Sequence, residues 1–184
     1  MIPNMKKKLI LVVTLILIIT SISGCLEDKS STDNALSGLK YSNTQYGFGL
    51  NPPEDWTTDE ADQYGSVRFY GPQIDNFTMN LGVSFPGTLA EGDTLSSLVQ
   101  EMKDNYPSAF TNYSFISSNA RTINGMSAYD IVYTFTYDTS DLKGQQVLIE
   151  KNGKVIYTTF TASIDTYDDY ISIIEESLSS FTIV

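Results

Sequence analysis

The fold is decided by Tyr129-Asp130-Ile131-Val132-Tyr133-Thr134-Phe135-Thr136-Tyr137. Every odd position in this stretch carries an aromatic residue or isoleucine, whereas the even positions carry Asp, Val and Thr. A period of two residues is that of a β-strand, in which successive side chains point to opposite faces. The stretch therefore predicts a strand that sits in a sheet with one apolar, aromatic face.

A β-hairpin follows this strand. Residues 146–150 and 155–162 are rich in β-branched and aromatic residues, and Lys151-Asn152-Gly153-Lys154 joins them. An Asn-Gly pair readily adopts the two positive φ angles of a type I′ turn, so this tetrapeptide predicts a tight hairpin. Shorter runs of the same composition predict further strands over residues 46–50, 66–70, 78–85 and 115–122.

Two segments change to a helical period. Their apolar residues follow the spacing i, i+3, i+4, i+7, i+11, which places them on one face of a helix. They are Leu95, Leu98, Val99, Met102 and Tyr106 in the first segment and Tyr167, Tyr170, Ile171, Ile174 and Leu178 in the second. Asp93 or Thr94 can cap the first helix and Asp165 the second. The order of elements predicts an α+β domain with helices packed on an antiparallel sheet.

Cys25 gives the clearest signal about function. It is the only cysteine, and it follows Ile22-Ser23-Gly24 after an apolar run that begins beyond Lys6-Lys7-Lys8. This pattern predicts a lipoprotein signal peptide that is cleaved after Gly24 and leaves a lipid on the sulfur of Cys25. A permanent transmembrane helix is disfavoured, because residues 9–22 would span only about 21 Å of a roughly 30 Å hydrocarbon core. An ordinary secretory signal with a chance cysteine is the remaining alternative.

The chain then divides into three parts. We expect a signal peptide over residues 1–24, a flexible tether with the lipidated cysteine over residues 25–39, and one folded domain over residues 40–184. The tether is predicted from its Ser, Asp, Asn and Lys content. Such a protein is held by its lipid on the outer, extracytoplasmic face of a cell membrane.

Composition excludes several classes of function. The net charge of the chain is −11, and it becomes −14 once residues 1–24, with three lysines and no acid, are removed. A basic patch for nucleic acid is therefore not expected. The chain has no histidine, and its one cysteine is assigned to the lipid, so Ser-His and Cys-His catalysis are excluded. No cofactor is expected, and transition-metal sites lose their two best ligands.

Carboxylates are the remaining candidates for chemistry. They form two groups that offer hard oxygen ligands to Ca²⁺. The groups are Asp165, Asp168 and Asp169 on one helical turn, and Glu54, Asp55, Asp59, Glu60 and Asp62 in one loop. Asp55 and Glu60 can also be considered as a general acid and base. A solvated acidic surface is favoured over a Ca²⁺ site because no Asp-x-Asp-x-Asp-Gly loop is present. It is favoured over the acid and base pair because nothing in the sequence places those two residues in one cleft.

Aromatic residues offer a candidate binding face. Tyr129, Tyr133 and Tyr137 lie on one face of the predicted strand, and Trp56 follows a proline turn near the strand ends. Such rings can stack on sugars or on the side chains of a partner. Packing in the core beneath a helix is the favoured alternative. Asn76 and Asn112 begin sequons, which matter only in a host that glycosylates exported proteins.

Residues 46–56, Tyr-Gly-Phe-Gly-Leu-Asn-Pro-Pro-Glu-Asp-Trp, resemble the opening of PsbP-like domains. Residues 125–137, the hairpin around Asn152-Gly153, residues 167–178 and the terminal Ser180-Phe181-Thr182-Ile183 are similar to the same family. The resemblance covers nearly all of residues 40–184. It implies an α/β/α sandwich around an antiparallel sheet. Any histidine-based metal contact of the photosynthetic members has no counterpart here.

Two classes of function remain. The resemblance and the absence of catalytic groups favour a non-enzymatic, membrane-anchored binding or accessory module with a protein partner at the membrane face. The alternative is a cell-surface enzyme or a Ca²⁺-binding protein that uses the carboxylates.

Overall fold

The computed structural model describes residues 35–61, 66–74 and 76–184. The predicted signal peptide, Gly24, Cys25 and the tether up to residue 34 lie outside these residues. Residues 35–39 of the predicted tether are described, and there Leu36 is only 3% exposed. Leu39 lies against the backbone of Gly49, so the packed part of the chain includes residues before Lys40.

The described residues contain ten strands and two helices. The strands are β1 (Tyr41–Asn43), β2 (Phe48–Leu50), β3 (Thr57–Ala61), β4 (Ser66–Ile74), β5 (Phe77–Thr88), β6 (Thr111–Ile123), β7 (Met126–Tyr137), β8 (Ser140–Lys151), β9 (Lys154–Ser163) and β10 (Thr182–Ile183). The helices are α1 (Leu95–Ala109) and α2 (Ile164–Ser179). The predicted α+β class is confirmed.

All strand pairs in the described residues are antiparallel, as predicted. Seven strands form the larger sheet in the order β3-β4-β5-β9-β8-β7-β6, and β1-β2-β10 form a smaller one. Asn152 and Gly153 have φ angles of 54° and 81°, so the β8–β9 hairpin has the predicted turn. Asn124 and Gly125, with φ angles of 45° and 77°, make the same kind of turn between β6 and β7.

The two helices begin where their capping chemistry allows. Thr94 caps α1, and its hydroxyl accepts from the backbone N–H of Ser97 at 3.1 Å. Ser163, not Asp165, is the N-cap residue of α2. The prediction of Asp165 as the cap was wrong, because the helix begins at Ile164, two residues earlier than a cap at Asp165 would place its start, and leaves Asp165 in the first turn. There its carboxylate still faces the positive end of the helix dipole.

Strand alternation divides the core between the two faces of the larger sheet. On one face, Phe69, Leu81 and Phe160 pack with Tyr167 and Ile174 of α2 and with the smaller sheet. We call the opposite side the α1 face, because Ile131, Tyr133 and Leu148 pack there with Val99 and Met102 of α1. The larger sheet therefore lies between two apolar layers, each containing one helix.

Candidate functional site

Helix α1 covers only part of the α1 face. Most of its contacts with the sheet are to β6 and β7. Its buried side chains pack with Ile131 and Tyr133 of β7, Leu148 of β8 and Val155 of β9. The part of the α1 face formed by β3, β4, β5 and the middle of β9 lies beyond the helix and is open to solvent.

One cross-strand row shows the change from the open part to the covered part. Directly opposite residues on neighbouring strands share a face. The row runs through Asp59, Arg68, Gly82, Thr159, Gln146 and Ile131. Its first four members lie on the open part, and Ile131 lies fully buried beneath α1.

The open part forms a shallow cavity of about 340 Å³. We call it the open patch. Its polar lining consists of Asp59, Ser66, Arg68, Asn80, Ser84, Thr159 and Thr161. Gly82 lies at the centre of the lining, and an added Cβ there would meet only the Thr159 carbonyl oxygen, at 3.8 Å. The floor of the patch is therefore backbone, with hydrogen-bonding side chains around it.

Arg68 is the one cation of this lining. Its Nη1 donates to the hydroxyl of Tyr70 at 3.3 Å, and its guanidinium carbon lies 5.9 Å from the centre of that ring. Asp59 is the cross-strand neighbour of Arg68, yet the two form no salt bridge in the structure of the described residues. A carboxylate acceptor and a five-donor guanidinium thus lie side by side with most of their hydrogen-bonding capacity unused.

Strand β8 lies at the boundary between the covered part and the open part of the α1 face. The hydroxyl of Tyr106 on α1 donates to Oε1 of Gln146, whose side chain is 8% exposed. Two residues before Gln146 on the same strand, Gly144 lies under the side chain of Tyr133. The Tyr133 ring and hydroxyl are 3.0 to 3.2 Å from the position that a Cβ of residue 144 would take. These contacts fix the edge of α1 to the sheet beside the patch.

Beneath the helix lies an aromatic cluster, which we define as Tyr106, Phe110, Tyr113, Tyr133 and Phe135. Neighbouring ring centres are 4.7 to 6.4 Å apart. Such distances suit edge-to-face and offset packing. Burial raises the pKa of Tyr106 and of Tyr133 well above the ordinary value. At the margin, burial and then the Glu101 carboxylate raise the pKa of Tyr157 to about 12.

A second polar network lies on the other face of the sheet. Arg121 Nη1 donates to Oε1 of Glu175 at 2.9 Å, and Gln145 Nε2 donates to the same oxygen at 3.0 Å. Asp130 stands 3.8 Å from Arg121. The Arg121 hydrogen bond holds the pKa of Glu175 below its ordinary value. Because Arg121 and Gln145 lie on strands and Glu175 lies on α2, these hydrogen bonds join α2 to the sheet.

The predicted aromatic binding face is not one surface. Tyr133 is 3% exposed in the aromatic cluster, Tyr129 is half-buried near it, and Tyr137 is 66% exposed beyond the end of α1. Trp56 packs on the opposite face of the sheet, where its ring centre is 6.5 Å from that of Phe160. Packing in the core was the favoured alternative for these rings. Tyr133 is buried in the core, and Trp56 is partly buried against it.

The predicted carboxylate groups do not converge on one point among the residues that the structure describes. Asp168 pairs with Lys143 at 2.9 Å, and Glu54 lies 3.9 Å from Lys40. Asp59 belongs to the open patch, whereas Asp62 lies outside the described residues. Across residues 35–61, 66–74 and 76–184, no three His, Cys, Asp or Glu side chains come together as metal ligands would. Asp55, Glu60, Asp165 and Asp169 are all exposed.

The two sequon asparagines are exposed. Asn76 lies in the turn between β4 and β5, and Asn112 lies at the start of β6 with a φ angle of 51°. The side-chain amide of Asn112 donates to the hydroxyl of Thr136 at 3.1 Å. A glycan on Asn112 would replace a hydrogen of that amide.

Sequence reasoning did not find the open patch. A signal was present, because β4 alternates Val67 and Phe69 with Ser66, Arg68 and Tyr70. The same alternation in β5 sets Met79, Leu81 and Val83 against polar or small residues. A strand that is polar on every second position predicts a face in contact with water. The alternation does not show how much of that face a helix covers.

One family model covers most of the chain. A family model described as PsbP-like protein matches residues 8–183. The chain belongs to the PsbP-like family. This confirms the resemblance drawn from the sequence. No curated protein sequence gives a significant match.

Solved structures share the fold at low sequence identity. Cyanobacterial PsbP (CyanoP) from Synechocystis sp. PCC 6803 is 19% identical with a TM-score of 0.57, over 78% of this chain and 91% of that one. LpqN, described as involved in cell envelope biogenesis of Mycobacterium tuberculosis, is 16% identical with a TM-score of 0.56, over 74% and 83% of the two chains. PA94 from Pseudomonas aeruginosa, a protein of unknown function, is 19% identical with a TM-score of 0.55, over 68% and 86%.

Among the residues that the structure describes, neither helix has the length and apolarity required to cross a bilayer.

Proposed function

We propose that the protein is an extracytoplasmic binding module without enzymatic activity, anchored to the membrane by a lipid on Cys25, and that the open patch is its binding surface. The observation that carries the proposal is the position of α1, which leaves a polar cavity of about 340 Å³ on the sheet. This volume is at the lower end of the range for ligand sites. On this view α1, the larger sheet, and α2 with the smaller sheet are the three layers of an α/β/α sandwich.

The chemistry of the patch supports binding rather than turnover. Its lining offers hydroxyl and amide groups, one carboxylate and one guanidinium, and the chain has no histidine. General acid–base catalysis needs a group whose pKa lies near the working pH and which is placed against a substrate. The Asp59 carboxylate is exposed and can accept hydrogen bonds from a ligand.

The residues before Cys25 support the anchor, and a protein with the same fold supports a location at the cell envelope. The run after Lys6-Lys7-Lys8 and the small residues Ser23 and Gly24 suit a lipoprotein signal. LpqN, which shares the fold, is described as acting in cell envelope biogenesis. A protein partner at the membrane face stays a prediction. Stable protein interfaces bury about 800 Å² on each partner, so such a partner would have to contact more of the surface than the open patch.

The anchor is tested by Cys25→Ser in the full chain, expressed in a bacterium that processes lipoproteins. We expect the variant to lack the lipid mass and to leave the detergent phase, because no second thiol can accept the lipid. Intact mass spectrometry and phase partitioning measure both effects. A variant that is still processed after Gly24 and carries the same lipid contradicts the anchor.

The binding surface is tested by site-specific photocrosslinking on membranes. A photoreactive side chain at Thr159 lies in the open patch, and one at Glu176, exposed on α2, serves as the matched control. We expect crosslinks to an envelope component from position 159 and none from position 176. Crosslinks from position 176 alone, or none from position 159, contradict the assignment of the patch.

A further inference from the structure

We infer that the ligand of the open patch is a neutral saccharide, an inference that rests on the proposed function. The argument begins with charge. Asp59 and Arg68 lie opposite each other on β3 and β4, so the lining carries one negative and one positive side chain. A singly charged ligand would leave one of them facing a like charge, whereas a neutral polar ligand satisfies both.

The mixture of donors and acceptors fits hydroxyl groups. A sugar hydroxyl donates once and accepts through two lone pairs, as do the Ser66, Ser84 and Thr161 hydroxyls. The Asp59 carboxylate only accepts hydrogen bonds, and the Arg68 guanidinium only donates them. The pair can therefore bind two neighbouring sugar hydroxyls, one acting as a donor and the other as an acceptor. Asn80 already donates to the Thr78 carbonyl oxygen at 3.2 Å, and its Oδ1 stays available as an acceptor.

The shape of the patch fits a ring that lies flat. Gly82 places no side chain at the centre, and a Cβ there would have only the Thr159 carbonyl oxygen within 4 Å. The cavity of about 340 Å³ is open on one side, which suits one or two sugar rings of a longer chain rather than an enclosed small molecule. The rings of the aromatic cluster lie beneath α1, so recognition here depends mainly on hydrogen bonds.

The test is a binding measurement with the full chain in detergent micelles. Saturation-transfer NMR is recorded with maltotriose, cellotriose and triacetylchitotriose, and then with glucuronic acid and with a peptide rich in Glu. We expect millimolar binding of at least one neutral oligosaccharide and none of the two acidic probes. Failure of all three neutral sugars overturns the inference, as does binding of the acidic probes alone.

Variants locate the binding. Gly82→Val fills the centre of the patch without a change of charge, and we expect it to abolish the sugar signal while the melting midpoint is retained. Asp59→Asn and Arg68→Gln each remove one charged hydrogen-bonding group and are expected to weaken binding by about tenfold or more. Lys103→Gln on α1 is the matched control and is expected to bind as the unchanged protein does. Binding that survives Gly82→Val places the sugar elsewhere and overturns the inference.

The two proposals fail separately. Crosslinks from Thr159 together with no binding of any sugar leave the binding module standing and reject the saccharide. Suppose instead that the unchanged protein carries no lipid on Cys25 but binds a sugar, and that Gly82→Val abolishes this binding. That result supports the saccharide and rejects the anchor.

Discussion

The two halves of the α1 face belong to one sheet but have opposite character. Over β6, β7 and β8 the face is aromatic and covered by α1, whereas over β3, β4 and β5 it is polar and open. The row from Asp59 to Ile131 crosses both halves without a break in strand pairing. The comparison shows that strand alternation decides which side chains share a face, and the placement of one helix decides whether that face becomes core or site.

The largest difference is expected between Tyr133 and Arg68. Tyr133→Ala removes a ring from the centre of the aromatic cluster and should lower the free energy of unfolding by about 3–5 kcal/mol. Arg68→Ala removes an exposed side chain from the open patch and should change it by less than about 0.5 kcal/mol. Urea denaturation of the full chain, followed by the fluorescence of Trp56, measures both. Equal losses would mean that the open half is structural as well.

Two strand glycines give a finer comparison, since each lies on the α1 face in one of the halves. In Gly144→Ala the new methyl group meets the Tyr133 ring at 3.0 to 3.2 Å. We expect a loss of about 1–2 kcal/mol, because overpacking outweighs the entropy removed from the unfolded chain. In Gly82→Ala the nearest atom is 3.8 Å away, so we expect no loss or a gain of about 0.5 kcal/mol. The reverse order of the two melting midpoints would contradict the proposed edge of α1.

A further effect is expected from alkali. The pKa of Tyr157 is about 12 in the folded protein and about 10 in an unfolded chain. Its contribution to stability is therefore complete below pH 10 and is lost as the pH rises towards 12. Tyr157→Phe should reduce the loss of stability over this range, and Tyr137→Phe, at a side chain 66% exposed, is the control. Urea midpoints at several pH values measure the effect, and identical alkaline slopes in both variants would contradict it.

Much of the fold could be predicted because its signals are local. The alternation from Tyr129 to Tyr137, the Asn152-Gly153 turn and the two helical stripes each depend on a few neighbouring residues. The Asn124-Gly125 turn has the same dipeptide, and with it the β6–β7 hairpin was available from the sequence as well. The cap of α2 was misplaced because Ser163 and Asp165 both suit a helix start.

The site could not be predicted, for a physical reason. Whether Tyr133 is core and Thr159 is surface depends on where α1 lies on the sheet, and that is set by contacts such as Tyr106 with Gln146, 40 residues apart. The two-residue alternation of the strands predicts that Tyr133 and Thr159 lie on the same face of the sheet. Only the packed structure tells that the helix covers the first and ends before the second.

The smaller sheet determines when folding can be completed. β2 pairs with β1 on one side and with β10 on the other, and the backbone N–H of Asn51 donates to Ser180 across 129 residues at 2.7 Å. Phe48 also stacks on Phe181, at 5.9 Å between ring centres. Contacts of such long sequence separation form late and slowly. The contacts between β2 and the segment that contains Ser180, Phe181 and β10 can therefore form only after that segment has been synthesised.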